Sequence, residues 1–415
     1  MTTESLESFR LELRQWLDDN CPASLRVLLE GAKLDPPTAE ERKQWLDAMA
    51  SRGYTTPSWP KEYGGGGLDK DELRVLSEEL GHLGAYAPMV SFFGTVMLGP
   101  VLLEYGTEDQ KREHLSKITN GEINWCQGYS EPGAGSDLAG LQCRAVLDGD
   151  HYIINGSKIW TTQANLADWI FCLVRTDPDC PKHDGISFIL FDLKSPGVTI
   201  STIELISGQS DFCQVFFQDV RAEAKNLVGP VNGGWAIAKR LLEHERKTLS
   251  GGMGGGGAAI PVVKKKKSKE KKVSVAPATS RMAEGARAYL GSEPGGDGKR
   301  LADPILRDKI AQFELDTLCF GLSMRRSGEE SKAGRSPGPA TSMFKLYASE
   351  MNKRRLEIQM SVMGAHGLGW SGDGFSAHEI SETRGWLRSK GNSIEGGTSE
   401  VQLNVIAKRV LGLPD

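Results

Sequence analysis

Apolar residues recur at helical spacing through the first part of the chain. Phe9, Leu13, Trp16 and Leu17 share one face, with acidic and basic residues between them, which is the pattern of an amphipathic helix. Cys21-Pro22 ends it, because the residue before a proline is pushed out of the α region. Residues 40–49 repeat the pattern with Trp45, Leu46 and Met49, and it resumes at Leu73, Val75, Leu76 and Leu80. Residues 86–103 are apolar almost throughout, which predicts either a core helix or the lining of an apolar ligand cavity. Thr107 and Gln110 stand in capping-box spacing and predict a helix start. From about residue 125 the period changes. Asp148-Gly149 and Asn155-Gly156 flank His151-Tyr152-Ile153-Ile154 and read as hairpin turns. Residues 168–174, 185–193, 198–203 and 213–217 are further short β-type runs. Helical periodicity returns after Gly233-Gly234-Trp235, with helices predicted over 306–324 and 341–363. The order predicts an α+β fold in three parts. These are an N-terminal helical domain over 1–124, a middle β-barrel or β-sandwich domain over 125–228, and a C-terminal helical bundle over 229–415 with an irregular Gly- and Lys-rich segment at 251–300.

Composition narrows the classes of function. Hydrophobic residues make up 39% and charged residues 25% of 415 positions, enough for a normal core. A net charge of −4 gives no reason to expect nucleic acid or an anionic membrane as partner. The lysine run at 264–272 reads as a solvated surface segment, since a nucleic-acid patch would want aromatic residues or a basic domain around it. Seven dispersed cysteines with no CxxC pair read as free thiols in a reducing compartment, so the expected location is cytoplasmic. The seven histidines do not cluster at ligand spacings, and no metal site is expected. The N-terminus lacks a basic region followed by an apolar one, so no signal peptide is read there. No apolar stretch approaches the roughly 18 residues a membrane span requires.

Two stretches carry candidate chemistry. Ser130-Glu131-Pro132-Gly133-Ala134-Gly135-Ser136-Asp137 stands at the α-to-β junction, where glycines and small hydroxyls make a fixed loop with exposed N–H groups. Asn392-Ser393-Ile394-Glu395-Gly396-Gly397-Thr398-Ser399-Glu400 places one carboxylate before two glycines and a helix start. Glu395 there is either part of a helix cap or a working acid or base beside a phosphate-bearing cofactor.

With Trp59-Pro60-Lys61-Glu62-Tyr63-Gly64-Gly65 and the Asn-Gly-x-Lys-x-Trp-x-Thr segment at 155–162, these stretches make four ordered motifs. On them the chain resembles the acyl-CoA dehydrogenases, FAD-dependent enzymes that desaturate acyl-CoA thioesters, nearly end to end. The resemblance implies FAD as cofactor, acyl-CoA as substrate and Glu395 as the base that removes the α-proton while a hydride leaves the β-carbon. It implies that Gln127, Tyr129, Ser130, Gly135 and Ser136 wrap the flavin, with Ser136 between flavin and CoA, and that Trp160 and Thr162 pack against and bond the ring. Trp160 as plain β-domain core is the alternative. Glu243 and Arg246 match residues that bind CoA, or else form a surface ion pair. Ser361 and Gly364 match a flavin-adenosine segment supplied by a neighbouring subunit. Gly396, Gly397, Thr398 and Glu400 match the segment at the FAD diphosphate, with Gly396 also beside the substrate. The Glu395 backbone N–H would bond the thioester carbonyl, and burial against Ile394 would raise the Glu395 pKa.

The chain departs from the family in places. Two glycines follow Glu395 instead of one, and Leu403 stands where an arginine is common. An Arg-Lys-x-Phe-Gly motif is not recognisable, and Arg307 is the candidate to replace its arginine at a neighbouring subunit's FAD. The glycine run 251–257 falls where a helix would line the acyl pocket and predicts room for a bulky, branched or cyclic acyl group. The expected partners are an electron-transfer flavoprotein and further subunits, in a homodimer, homotetramer or hetero-oligomer. Alternatives within the fold are an acyl-CoA oxidase, a flavin-fold lyase, or a non-catalytic subunit that binds acyl-CoA or FAD. Glu395 argues against the last two.

Overall fold

The computed structural model describes residues 3–26, 37–85, 87–88, 90–250, 280–294, 300–333 and 338–414, without the side chains of 245–250, 280–281 and 331–332. The glycine run 251–257, the lysine run 264–272 and the loop start Ser336-Pro337 lie outside the described residues. The chain separates into two compact units, residues 3–203 with 211–248, and residues 204–210 with the described residues from 280 onward.

The first unit opens with helices α1 (Thr3–Asn20), α2 (Ala39–Ser51) and α3 (Lys70–Leu83). Leu13, Leu17, Trp45, Met49, Val75, Leu76 and Leu80 form their common core, as the apolar spacing predicts. Capping boxes at Thr38/Glu41 and Asp69/Glu72 start α2 and α3 and satisfy backbone donors that would otherwise be orphaned. The apolar stretch 86–103 becomes a core helix only from Phe92 onward, and not a regular one. A π-helical turn, Phe93–Leu98, runs into α4 (Gly99–Tyr105). Pro88 holds its predecessor out of the helix. Pro100 lacks the N–H that a regular ladder would need. Gly99 meets Trp59 so closely that an added Cβ would overlap the indole. Helix α5 (Glu108–Thr119) begins with the predicted Thr107/Gln110 box, and the Gln110 amide reaches across to donate to Lys225 O at 2.7 Å and Leu227 O at 2.8 Å.

Eight strands follow: β1 (Trp125–Gly128), β2 (Arg144–Asp148), β3 (His151–Thr162), β4 (Trp169–Arg175), β5 (Ile186–Asp192), β6 (Val198–Ile203), β7 (Phe212–Glu223) and β8 (Leu227–Val228). They form one sheet in the order β6-β7-β3-β2-β4-β5-β8, with β1 beside β4. Alternate residues of β4 and β5 enter two different cores. Ile170, Cys172, Val174, Ile189 and Phe191 face the interior of the β region. Phe171, Leu173, Phe188 and Leu190 pack with Leu98, Leu102, Leu115 and Ile237 from the helices. Phe191 on β5 lies 5.3 Å from Phe217 on β7. Those strands are not sheet neighbours, so the sheet curls around its inner core. Gly149, at φ 63°, makes the β2–β3 turn as predicted. Asn155-Gly156 does not turn the chain. It sits at a register shift within β3, where Asn155 and Asp219 exchange hydrogen bonds at 3.0 and 2.9 Å. Helix α6 (Gly234–Ser250) completes this unit's described elements.

The second unit contains α7 (Ser280–Leu290), α8 (Pro304–Lys332), α9 (Thr341–Met363), α10 (Ala377–Ser389) and α11 (Ser399–Val405). Ala286, Leu306, Ile310, Phe313, Met351, Ile358 and Val362 form its core. Asp303 caps α8 through Ile305 N and Leu306 N at 2.8 and 2.9 Å. No described helix is long and apolar enough to cross a membrane.

Candidate active site

The signature loop is fastened from inside. Lys158, on β3, is fully buried, and its Nζ donates to Glu131 Oε1 at 2.7 Å and Tyr129 O at 3.1 Å. The Glu131 carboxylate also accepts from Gln142 N at 2.6 Å and Cys143 N at 2.8 Å. A buried charge pair is tolerable only when its remaining hydrogen bonds are met, and here backbone groups meet them. Ile159 N donates to Ser130 O at 2.8 Å, so the start of the loop is tied to β3 one residue before Trp160. Arg175, also buried, clamps the turn after the loop through Ala139 O at 2.6 Å and Leu141 O at 3.2 Å.

On this base the predicted flavin residues gather. Gln127 lies on β1, Tyr129 is buried just after it, and Ser130 is half-buried. Gly135 and Ser136 are exposed at the loop, and an added Cβ at Gly133 or Gly135 would meet nothing within 4 Å. Trp160 is not core. It is 53% exposed at φ 59°, edge-on to Phe212 at 6.0 Å. A bulky residue held in the left-handed region stores strain. Thr162 ends β3 beside Phe212. Gln127 Nε2 is buried with no hydrogen-bond partner among the described residues. A buried unmatched amide, an exposed strained indole and an open glycine loop suit a flat heteroaromatic ligand with polar edges.

Behind this loop His114 is buried between Trp125 and Trp169, with ring centroids at 5.3 and 5.1 Å. Neither ring nitrogen has a hydrogen-bond partner among the described residues. Burial pushes its pKa down to about 4.

Glu243 pairs with Arg240 Nη1 at 2.9 Å, and Arg240 also holds Glu104 at 2.7 Å. Glu243 thus has an ion-pair partner in Arg240. The side chain of Arg246 lies outside the described residues.

In the second unit Ile394 is 67% exposed and the Glu395 side chain 41% exposed. The expected burial of this carboxylate against Ile394 is therefore not what the chain itself provides. Hydrogen bonds hold it instead, from Arg388 Nη2 at 2.8 Å and Asn392 Nδ2 at 2.5 Å. The Glu395 N–H, expected to face a thioester carbonyl, donates to Gly391 O at 3.0 Å and closes the turn. Gly396 and Gly397 have φ of 64° and 92°, a conformation that favours glycine. The buried Gln402 amide bonds their carbonyls at 3.2 and 3.4 Å. Thr398 caps α11 by accepting from Val401 N at 3.2 Å, with Glu400 in the first turn. Helix α9 supports the turn through Lys345 and Asn352 at Asn392, and Glu350 and Lys353 at Ser393. Ser361 and Gly364 lie at the far end of α9, where Ser361 bonds Glu357 O at 2.9 Å and Gly364 takes φ 53°. Arg307 donates to Leu301 O at 2.9 Å and, with Arg287, Arg300 and Glu314, lines a cavity of about 410 Å³. Among the described residues no group of three or more His, Cys, Asp or Glu could hold a metal ion.

The predicted residues thus fall into two groups, one in each unit. Sequence reasoning quoted Glu131 and Lys158 only as parts of motifs, and it passed over Arg388, Lys345 and Glu350. Those roles depend on pairings distant in sequence.

Residues 3–122, 126–220 and 274–411 match the N-terminal, middle and C-terminal domains of acyl-CoA dehydrogenases. Acyl-CoA dehydrogenase IpdE1 of Mycobacterium tuberculosis is 34% identical over 418 residues, covering 99% of this chain and 98% of its own. FadE29 of the same organism, also an acyl-CoA dehydrogenase, is 35% identical with the same coverage. Among solved structures, the Tcur3481-Tcur3483 steroid ACAD superimposes with a TM-score of 0.70 at 30% identity, over 100% of this chain and 99% of that one. The ChsE4-ChsE5 complex from Mycobacterium tuberculosis gives 0.67 at 27% identity, with the same coverage. The chain belongs to the acyl-CoA dehydrogenases, FAD-dependent oxidoreductases that act on acyl-CoA.

Proposed function

We propose that this chain binds FAD and introduces an α,β double bond into a bulky, polycyclic acyl-CoA, with Glu395 as the base. Gln127, Tyr129, Ser130, Gly135, Ser136, Trp160 and Thr162 would hold the ring system of the cofactor. Gly397, Thr398 and Glu400 would face its diphosphate. Ser361, Gly364 and Arg307 would serve an adenosine or diphosphate portion across a subunit boundary. Ser136, Glu243, Arg246 and Gly396 would meet the CoA substrate. FAD, when bound, supplies the acceptor for the hydride that leaves the β-carbon. Glu395 takes the α-proton onto a carboxylate oxygen, and the electrons of the broken C–H bond become the new double bond.

The observation that carries this reading is Trp160, an exposed indole held at φ 59° next to a loop fastened by a buried ion pair. Strain of this kind persists where the surrounding structure fixes it, and it clusters at functional sites. The polycyclic substrate rests on the relatives. A steroid ACAD aligns along the whole chain. The ChsE4-ChsE5 relative is a complex, which favours a hetero-oligomer here. An electron-transfer flavoprotein would be the electron acceptor. Anaerobic mixing of the purified flavoprotein with a panel of acyl-CoAs tests the reading. Flavin bleaching by steroid-type thioesters, faster than by short straight chains, is expected. Bleaching confined to short straight chains would overturn the substrate class, and fast re-oxidation in air would make the protein an oxidase.

A further inference from the structure

The proposed base stands at the end of a chain of side-chain amides. Asn392 Nδ2 donates to Glu395 Oε1 at 2.5 Å. Asn392 Oδ1 accepts from Asn352 Nδ2 at 2.9 Å, and Asn352 Oδ1 accepts from Arg355 Nε at 3.3 Å. Asn352 and Arg355 are three residues apart on α9, where side chains at that spacing are neighbours. Arg355 is tethered in turn to Glu382 of α10 at 3.7 Å. Arg355, Asn352 and Asn392 are all half-buried.

The direction of this chain is set at both ends. A side-chain amide accepts at its oxygen and donates at its nitrogen, and it fits a site either way round. A guanidinium only donates, and a carboxylate only accepts. Arg355 therefore draws Asn352 Oδ1 toward itself and leaves Nδ2 for Asn392. Asn392 then presents Oδ1 to Asn352 and Nδ2 to Glu395. The other Glu395 oxygen accepts from Arg388 Nη2 at 2.8 Å. The remaining cations around the turn are bonded to other groups: Lys345 to the Asn392 carbonyl, Lys353 to Glu350 and Ser393, and Lys390 to Glu357.

Resting on Glu395 being the base, we propose that Asn352 is a positioning residue, which sets the polarity of the Asn392 amide and through it the orientation of Glu395 Oε1. Asn352 touches no reacting atom. Its action lies in geometry, since a reacting group has to be held within about 0.5 Å of its productive place by the residues behind it. Asn352→Asp keeps the shape of the side chain and removes its donor. The new carboxylate still accepts from Arg355, but Asn392 has to turn its Nδ2 toward it. Asn392 Oδ1 then faces the Glu395 carboxylate, acceptor against acceptor.

The test is anaerobic flavin bleaching of the holoenzyme by whichever acyl-CoA bleaches the wild type fastest, read as a limiting rate and a half-saturating concentration. Asn352→Asp is expected to lower the limiting rate about tenfold and Asn352→Ala about threefold, with half-saturation moved by less than about twofold. A side chain that only filled space would give the reverse order, because aspartate keeps the shape that alanine removes. Melting midpoints supply a readout that does not depend on turnover. Adding Glu395→Gln to Asn352→Asp is expected to raise the midpoint by about 2 °C over Asn352→Asp alone, because an amide at 395 accepts from Arg388 and donates to the turned Asn392. Asn352→Ala as damaging as Asn352→Asp, or no recovery in the double variant, overturns the relay. If Asn352→Asp does not fold, an unmoved limiting rate in Asn352→Ala overturns it. Bleaching at the wild-type rate by Glu395→Gln, with the midpoint recovery intact, overturns Glu395 as the base and leaves the relay standing.

Discussion

Around the signature loop the charges lie inside: Lys158 and Glu131 are buried, bonded to each other and to backbone, while the aromatic Trp160 is exposed. Around Glu395 the arrangement is reversed. The carboxylate is exposed and bonded by Arg388 of α10 and Asn392 of its own turn, while side chains of α9 brace that turn. The first arrangement suits a wall that must not move, because breaking a buried pair leaves an uncompensated charge. The second suits a group that must change partners, since exposed pairs are worth little and exchange readily. The difference separates a rigid platform at the signature loop from an adjustable carboxylate at Glu395.

Substitutions can break that contrast, and the largest effect is expected at Lys158. Lys158→Met should cost about 3–5 kcal/mol, because Glu131 is left buried and unpaired. Chemical denaturation would show it, together with loss of retained flavin. Substituting Arg388 should leave the melting midpoint nearly unchanged, and an equal loss at the two sites would erase the distinction. His114 comes next. Its folded pKa, about 4, lies below the ordinary 6.5 because burial penalises the charged ring. The unfolded chain therefore binds the proton first, and stability is full above about pH 6.5 and falls as the pH drops toward 4. The loss is on the order of 3 kcal/mol over that window. His114→Phe should flatten this acid slope in denaturation midpoints measured from pH 7 to 4. The smallest effect on stability is expected at Trp160. Trp160→Gly relieves the positive φ, so the fold should lose no more than about 1 kcal/mol while flavin retention falls. A large stability loss with flavin retained would return Trp160 to the core.

The helices with clean 3.6 periodicity were legible in the chain, as were their boxes at Thr107 and the short β runs. The Asp148-Gly149 turn was legible because its glycine supplies the positive φ that a hairpin needs. Asn155-Gly156 carries the same local signal, but Asp219 on a strand far along the chain recruits Asn155 into a bulge. Residues 86–103 supply the expected core helix from Phe92 onward, but apolar composition cannot reveal its π-helical turn or that Gly99 must fit against Trp59. Helices α7 and α10 were not anticipated. At the site, motif residues could be named from the chain alone, but what fastens them could not. Lys158 finds Glu131 across 27 positions and Glu350 finds Ser393 across 43, pairings that only the fold creates. The exposure of Glu395 was likewise invisible, since its apolar neighbour Ile394 suggested burial.

The most direct measurement is the rate of anaerobic flavin bleaching by a steroid-type acyl-CoA in the wild type against Glu395→Gln, with thermal melting alongside. Removing a general base should slow bleaching by about 10³-fold with the melting midpoint unchanged. Bleaching at the wild-type rate in Glu395→Gln would contradict the account.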